Sequence, residues 1–411
     1  MVGHRRIHLR TSSRWACGRH GFIDLIMQDF TEPGWGERDT GSFRARLRSL
    51  VRPARAAIAR LKAAYLLMGP TAPRGEARVF FGFRRVQDEK RVTVGGLVKV
   101  QALARVFPNT PQGFSVLYLV SSGLPEGAVA LARAAKRKDV RIVINQNGVA
   151  YPGWYGRGYE SVNAPMAELL GIADHVFYQS EFCRMAADEF LRVQPVSSET
   201  LYNSIDTNTF SPGRMTADAP LTLLLAGSQN KSYRVKVALE ALARVAARRT
   251  DARLIVTGRL GWAHHVEEAR GMALQWAREL GVADRVNFTG PYSREATVDI
   301  FRGAHILLHT KYNDPCPTVV LEAMACGLPV VYSASGGVPE LVGTDAGVGI
   351  PGEVRWDRDM PPDPKGLADA VLAVTERYDH YSQAARQRAL DRFDIGPWLQ
   401  RHAEVFQRLV A

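Results

Sequence analysis

Cysteine is scarce in this chain. Four stand in 411 residues: Cys17, Cys183, Cys316 and Cys326. They are too widely spread for a disulfide framework or the paired spacing of a metal site, so a reducing, cytoplasmic setting and no metal are expected. Long apolar runs are missing too. The longest candidate, AAYLLMG, falls far short of the ~20 residues that span a bilayer. No apolar segment beside a small-residue cleavage site stands near the N-terminus, so no secretory signal is expected.

What remains is globular in character, with 46% hydrophobic and 23% charged residues. The length suits two domains. The net charge of +12 is uneven: residues 1–75 hold 14 Arg and Lys against 5 Asp and Glu, a net of +9. Residues 1–41 are Arg-rich and turn-rich. From 42 to 68, Phe43, Leu47, Leu50, Ala54, Ile58, Leu61 and Tyr65 recur at helical spacing among arginines, with Pro53 set to kink the helix. Such a basic amphipathic helix suits an inner membrane surface; the other reading is a helix packed on the body with solvated arginines. Interleaved aromatics and a nucleic-acid motif are lacking, so no nucleic-acid partner is expected.

From about residue 78 the texture alternates. ARVFFGF, FSVLYLVS, VRIVINQ and HVFYQS read as strands with helical stretches between them. SIDTNTFSPGRMTADAP reads as a linker. The alternation then restarts with LTLLLAGS, ARLIVTG, RVNFTG, HILLHT and LPVVYS. The fold expected is α/β, two doubly wound Rossmann-like domains facing across a cleft, behind a basic N-terminal extension. The bounds expected are 1–77 for the extension, 78–212 and 213–390 for the two domains, and 391–411 for a helix returning to the first.

The stretch NDPCPTVVLEAMACGLPVV places Glu322 in a helix that is otherwise apolar. Pro317-Thr318 starts that helix and Gly327 ends it. Free N–H groups at Cys316, Pro317, Thr318 and Val319 positions would attract an anion, except where proline has none. A buried carboxylate needs partners, and hydroxyls of a sugar or ribose would serve Glu322; pairing with a Lys or Arg is the other reading. Asp314, eight positions upstream, could share the pocket. LLLAGSQNKSYR sets Gly227, Ser228, Lys231 and Arg234 after a strand, a place for close backbone approach and for cations on a diphosphate. SASGGVPELVG adds Gly336 and Gly337 before another helix.

These motifs resemble the retaining GT-B glycosyltransferases of family 4, the glycosyl transferases group 1, over roughly residues 90–405. DPCPTVVLEAMACGLPVV is similar to the family's E-x7-E signature, with Asp314 and Glu322 in the acidic positions. AGSQNKSYRVKVALEALA resembles its diphosphate-binding segment, and LYNSIDTNTFSP its interdomain linker. The resemblance implies ribose recognition by Glu322, and sugar and phosphate contacts from Asp314 and Cys316–Val319. It implies neutralisation of the leaving diphosphate by Lys231 or Arg234, and a glycine turn at Gly95-Gly96 near donor phosphates and acceptor. Three departures stand out: Asp for Glu at 314, a shifted basic pair with Tyr233 at the family lysine, and Asn147 where many relatives carry histidine.

For the acceptor, NQNGVAYPGWYGRGYESVN offers Gln146, Asn147, Tyr151, Trp154, Tyr155 and Asn163, amides and aromatics fit for a sugar, or else a rigid structural loop. His309 ends a strand nearby and is as readily structural. The function expected is retaining transfer of a hexosyl group from a nucleoside-diphosphate sugar to a glycan or lipid-linked glycan, in cell-surface polysaccharide synthesis. The donor is a substrate, and no cofactor is expected. Rival readings are a nucleotide-sugar epimerase of the same architecture and a non-catalytic binding protein.

Overall fold

The computed structural model describes residues 57–68, 72–86, 96–213 and 219–411, apart from the side chains at 294 and 295. The Arg-rich stretch before 57, Pro53, Cys17 and Gly95 lie outside the described residues. The short apolar runs become strands of two sheets, every pair of which is parallel. In the first, β1 (Val79–Phe80), β2 (Val116–Val120), β3 (Arg141–Gln146), β4 (His175–Tyr178) and β5 (Ser198–Thr200) lie in chain order. In the second, β6 (Thr222–Leu225), β7 (Arg253–Thr257), β8 (Val286–Gly290), β9 (Ile306–His309), β10 (Val330–Ala334) and β11 (Gly347–Pro351) run in the order β11-β10-β9-β6-β7-β8. The order reverses between β9 and β6, so the chain leaves these two neighbours in opposite directions. A crevice opens at their carboxyl ends.

Helices bury their apolar stripes on both faces of each sheet. On the first sheet, α1 (57–66), α3 (Ala128–Lys136), α5 (Tyr159–Ile172) and α6 (Glu181–Phe190) cover one face, and the short α4 (Pro152–Tyr155) precedes α5. The other face takes α2 (Gly96–Ala104) and the last helix, α14 (Ile395–Val410). On the second sheet, α7 (Tyr233–Ala246), α8 (Val266–Glu279) and α12 (Pro364–Glu376) cover one face. The other is covered by α9 (Arg294–Arg302), α10 (Thr318–Ala325), α11 (Val338–Val342) and α13 (Tyr378–Phe393). Strands such as β2, VLYLV, are buried at every position, as strands covered on both faces must be.

Two strands carry no sequence signal. β5 reads SET, polar and partly exposed, and β11 reads GVGIP, with two glycines at a sheet edge. The tail read as one helical stretch is two helices meeting at Asp394, whose carboxylate accepts from the Gly396 N–H to cap α14. α14 returns to the first sheet and presents Trp398, His402, Val405 and Phe406 on one stripe.

His402 at the centre of that stripe is fully buried. Nδ1 is 2.8 Å from the Trp398 carbonyl and Nε2 is 3.1 Å from the Tyr118 hydroxyl. A neutral ring with its proton on Nδ1 donates to the carbonyl and accepts from the tyrosine, satisfying both nitrogens. Burial pushes its pKa down to about 3, although the Trp398 carbonyl pulls the other way. A histidine in the unfolded chain titrates near 6.5. The unfolded state therefore binds the proton first as pH falls, and stability drops from about pH 6.5 toward about pH 3. Replacing His402 by Gln is expected to remove close to one proton from the pH dependence of unfolding, up to about 1.4 kcal/mol per pH unit. Urea titrations at pH 6, 5 and 4 measure it, and an unchanged slope would show that the ring does not titrate on unfolding.

Candidate functional site

The crevice beyond β6 and β9 faces the carboxyl ends of β3 and β4, and a cavity of about 320 Å³ lies between the two sheets. The β6 loop contributes Gly227, Ser228 and Gln229 to its wall. Gly227 has φ +86°, a conformation that side chains resist. Gln229 pins the loop by donating to the carbonyls of Ala226 (3.2 Å) and Gly227 (2.9 Å). Arg234, in the first turn of α7, reaches the same wall. It is 6% exposed and donates to the Ser228 carbonyl at 3.3 Å, while its Nε has no protein partner.

Lys231 does not join it. Its ammonium pairs with Asp359 at 2.9 Å, away from the cavity wall. Of the two cations singled out in the sequence, the first turn of α7 turns Arg234 inward, while Lys231, in the loop before that helix, meets a carboxylate of the 352–363 segment. Tyr233, at the family's lysine position, accepts the Tyr312 N–H at 3.1 Å instead.

Asp314 is the charged centre of the opposite side. It is 6% exposed; Lys311 Nζ lies 2.9 Å from Oδ1 and His309 Nε2 3.2 Å from Oδ2, the latter poorly aligned for a hydrogen bond. Burial alone would raise its pKa, but Lys311 and His309 outweigh that and hold the carboxyl well below the usual range. Burial lowers the Lys311 pKa, and Asp314 opposes that shift. The loop is aimed by Asn313, which has φ +48°, donates its amide hydrogen to the Arg355 carbonyl and accepts nothing on its own Oδ1. Gly336 and Gly337 stand behind this loop rather than on the cavity wall. A Cβ on Gly336 would lie 2.5 Å from the Asp314 carbonyl oxygen, and the Gly337 N–H donates to that oxygen at 2.9 Å. Their part in the site is to let Asp314 lie so close to β10.

Cys316, Pro317, Thr318 and Val319 line the cavity at the start of α10, where no side chain caps the helix. Glu322, one turn on, does not line it. It sits half-buried beside Tyr292, whose hydroxyl burial, and then the Glu322 charge, push up to about 12. The two carboxylates of the motif thus serve adjoining spaces, since eight residues of loop and helix carry them to different sides of the α10 N-terminus.

The first sheet supplies the facing wall. Asn147, Gln179 and Asn203 line it, and the side-chain oxygen of each is buried without a protein partner. Gln179 donates to Asn145 Oδ1 at 2.6 Å and Asn203 to the Cys316 carbonyl at 2.7 Å. Gln146 and Tyr151 are not on the wall. Gln146 is fully buried and donates to the Asn147 carbonyl at 2.8 Å, bracing its neighbour. Tyr151 is covered by Trp356, whose ring stands edge-on at 5.0 Å because residues 353–358 cross from the second sheet onto this loop. Gly96 opens α2, packed against Val120 and Ser122. One turn further on, Lys99 does reach the wall.

Sequence reading missed Lys99, Gln179, Asn203, Tyr292 and Lys311. Gln179, Tyr292 and Lys311 each follow the carboxyl end of a strand legible in the sequence, so strand-end position was a usable signal for these three, and Asn203 opens the N-S-I-D linker. Lys99 gave none. Among the described residues no group of three or more His, Cys, Asp or Glu side chains could hold a metal ion.

Comparison with known proteins supports the architecture. Residues 211–387 match the family model described as Glycosyl transferases group 1. D-inositol 3-phosphate glycosyltransferase of Mycolicibacterium vanbaalenii is 29% identical over 187 residues, covering 43% of this chain and 41% of that protein. The Mycolicibacterium smegmatis enzyme of the same name is 30% identical over 153 residues, covering 35% of this chain and 34% of that one. The match thus spans about two fifths or less of these relatives' length. Among solved structures, Anabaena HepE in complex with UDP and glucose aligns with TM-score 0.58 and 19% identity over 77% of this chain and 84% of that one. Sucrose-phosphate synthase from Thermosynechococcus elongatus aligns with TM-score 0.58 and 15% identity over 90% and 94%. The two parallel sheets have the GT-B fold of these structures, and residues 211–387, the second sheet and most of its helices, match the glycosyl transferases group 1 model.

Proposed function

We propose that this chain is a glycosyltransferase that moves a sugar from a nucleoside-diphosphate sugar to an acceptor hydroxyl, with retention of anomeric configuration. One observation carries the reading: a single cavity has cationic groups and a helix N-terminus on one wall and unpaired amide oxygens on the other. The first wall suits a diphosphate. The second suits sugar hydroxyls, which would donate to acceptors left without protein partners. HepE, of like fold, was solved in complex with UDP and glucose, and the matched relatives are named D-inositol 3-phosphate glycosyltransferases.

In this reading the nucleoside lies near Glu322 and Tyr292, the diphosphate lies against the start of α10, and the sugar reaches Asp314 and the amides. Breaking the glycosidic bond leaves negative charge on the distal phosphate. Arg234, Lys311 and the N–H groups of Thr318 and Val319 stand ready to receive it, without reorganisation. The acceptor oxygen bonds to the anomeric carbon from the face the phosphate leaves, and its proton passes to a phosphate oxygen. Lys311 and His309 keep Asp314 ionised, so that it accepts hydrogen bonds from the sugar rather than acting as an acid. A hexosyl donor, a glycan or lipid-linked glycan acceptor, and a role in cell-surface polysaccharide synthesis belong to the same proposal, as does a cytoplasmic setting.

Contact with a membrane surface through residues 42–68 extends it. In the described part of that stretch Ala63 is buried against the body while Leu61 and Met68 are 71% and 81% exposed, beside Arg60 and Lys62. Among the described residues no helix is long and apolar enough to cross a membrane. Leu61→Glu with Met68→Glu is expected to reduce co-sedimentation with anionic phosphatidylglycerol vesicles at least severalfold; equal sedimentation would remove membrane contact from the proposal.

The reaction itself is tested by nucleoside-diphosphate release from UDP-, GDP- and ADP-sugars, with the product's new bond and anomeric configuration read by NMR. Arg234→Ala is expected to lower kcat by about 10²–10³, with Arg234→Lys recovering part of it. Lys231→Ala, removing a cation already paired with Asp359, is expected to change kcat less than about threefold. The reverse ranking would move the phosphate site to Lys231.

A further inference from the structure

Among the described residues Lys99 is the one lysine of the first sheet's helices that reaches the cavity, and neither the family model nor the sequence motifs account for it. It lies in the first turn of α2 and is 9% exposed. Among the described residues it makes no hydrogen bond or ion pair, and it lines the cavity. An ammonium drawn away from bulk water with no protein partner is costly, and such a group survives where something else supplies the partner. Among the described residues its surroundings supply none. Cys183 of α6 and Cys316 before α10 face it as thiols that burial holds protonated, and His402 of α14 faces it as a neutral ring. Across the cavity stand Arg234, Lys311 and His309, with Asp314 already taken by Lys311 and His309. Burial lowers the Lys99 pKa to about 8, which leaves it mostly charged at neutral pH.

We propose that Lys99 binds the distal phosphate of the nucleoside diphosphate, closing on it from the first sheet while Arg234 and Lys311 hold it from the second. This rests on the reading of the cavity given above. The nucleoside end belongs beside Glu322 and Tyr292 in the second sheet's domain, so the distal phosphate is the part that reaches the seam where Lys99 stands. A group placed there touches the leaving phosphate and not the nucleoside or the proximal one. It also makes diphosphate binding depend on both halves of the fold.

The measurement is calorimetric affinity of the full chain for UDP, GDP and ADP, for the matching monophosphates and for inorganic pyrophosphate. Lys99→Met is expected to weaken the tightest nucleoside diphosphate about tenfold to a hundredfold. The matching monophosphate should change less than about twofold, and pyrophosphate should weaken with the diphosphate. Because the substitution removes an unpaired buried charge, its melting temperature should not fall, which a merely structural lysine would not allow. Lys99→Arg should keep the diphosphate preference, and its affinity should fall less above pH 8 than that of the wild type, which loses the Lys99 proton there. The proposal is overturned if Lys99→Met keeps the wild-type ratio of diphosphate to monophosphate affinity, or loses both alike. A wild-type chain that binds none of the three nucleoside diphosphates overturns the reading of the cavity itself, and this proposal with it.

Discussion

The site depends on hydrogen bonds that tie the first sheet's domain to the loop carrying Asp314. Ser180 Oγ donates to the Pro315 carbonyl at 2.7 Å, and the Asn203 amide donates to the Cys316 carbonyl at 2.7 Å. Glu340, from α11 of the second domain, accepts the N–H groups of Glu181 (2.7 Å) and Phe182 (2.8 Å) at the start of α6. A carboxylate at a helix N-terminus answers both the unpaired N–H groups and the helix dipole. Here it is supplied by the other half of the molecule. These contacts bracket residues 313–317 from two sides, so the amide wall and the cationic wall keep their register. A cavity built from two domains is otherwise only as defined as the interface between them.

That definition matters because of the charges it confines. Arg234, Lys311 and Lys99 bring positive charge to the cavity and Asp314 one negative charge, with Asp314 spent on Lys311 and His309. Confined in low dielectric, this excess destabilises the empty protein, and removing such a charge is often neutral or favourable for folding. The same excess is what a diphosphate would neutralise. The unpaired oxygens of Asn147, Gln179 and Asn203 follow a similar logic, since each costs the fold something until a hydroxyl donates to it. The site is therefore where local stability is given up, and the surrounding sheets, buried on both faces, offset the loss.

Much of this was legible in the sequence because it rests on period and punctuation. Short apolar runs between helical stretches gave the two parallel sheets, and proline and glycine bounded α10. The helix register that separates Arg234 from Lys231 was not legible, because three positions of offset decide which side chain points inward and the loop before α7 sets the offset. Nor was the cover over Tyr151. GEVRWDRDMPP has no period, and only in three dimensions does Trp356 reach Tyr151, Phe182 and Phe190. β5 and β11 escaped because edge strands bury little and need little apolar sequence.

The 353–358 crossing also explains why the loop after β3 divides as it does. Gly153 donates to the Trp356 carbonyl at 2.7 Å, and a Cβ on it would lie 2.5 Å from the Arg358 nitrogen. Tyr151 and Gly153 are thereby committed to packing between the two domains, while Tyr155 stays exposed. Only its first residues, Gln146 bracing Asn147, remain to shape the cavity. The amides of the first sheet's wall, Asn147, Gln179 and Asn203, thus stand on short spans that follow strands, where the sheet fixes the backbone. Tyr151, Trp356 and Phe190 then hold those spans in place from outside the cavity.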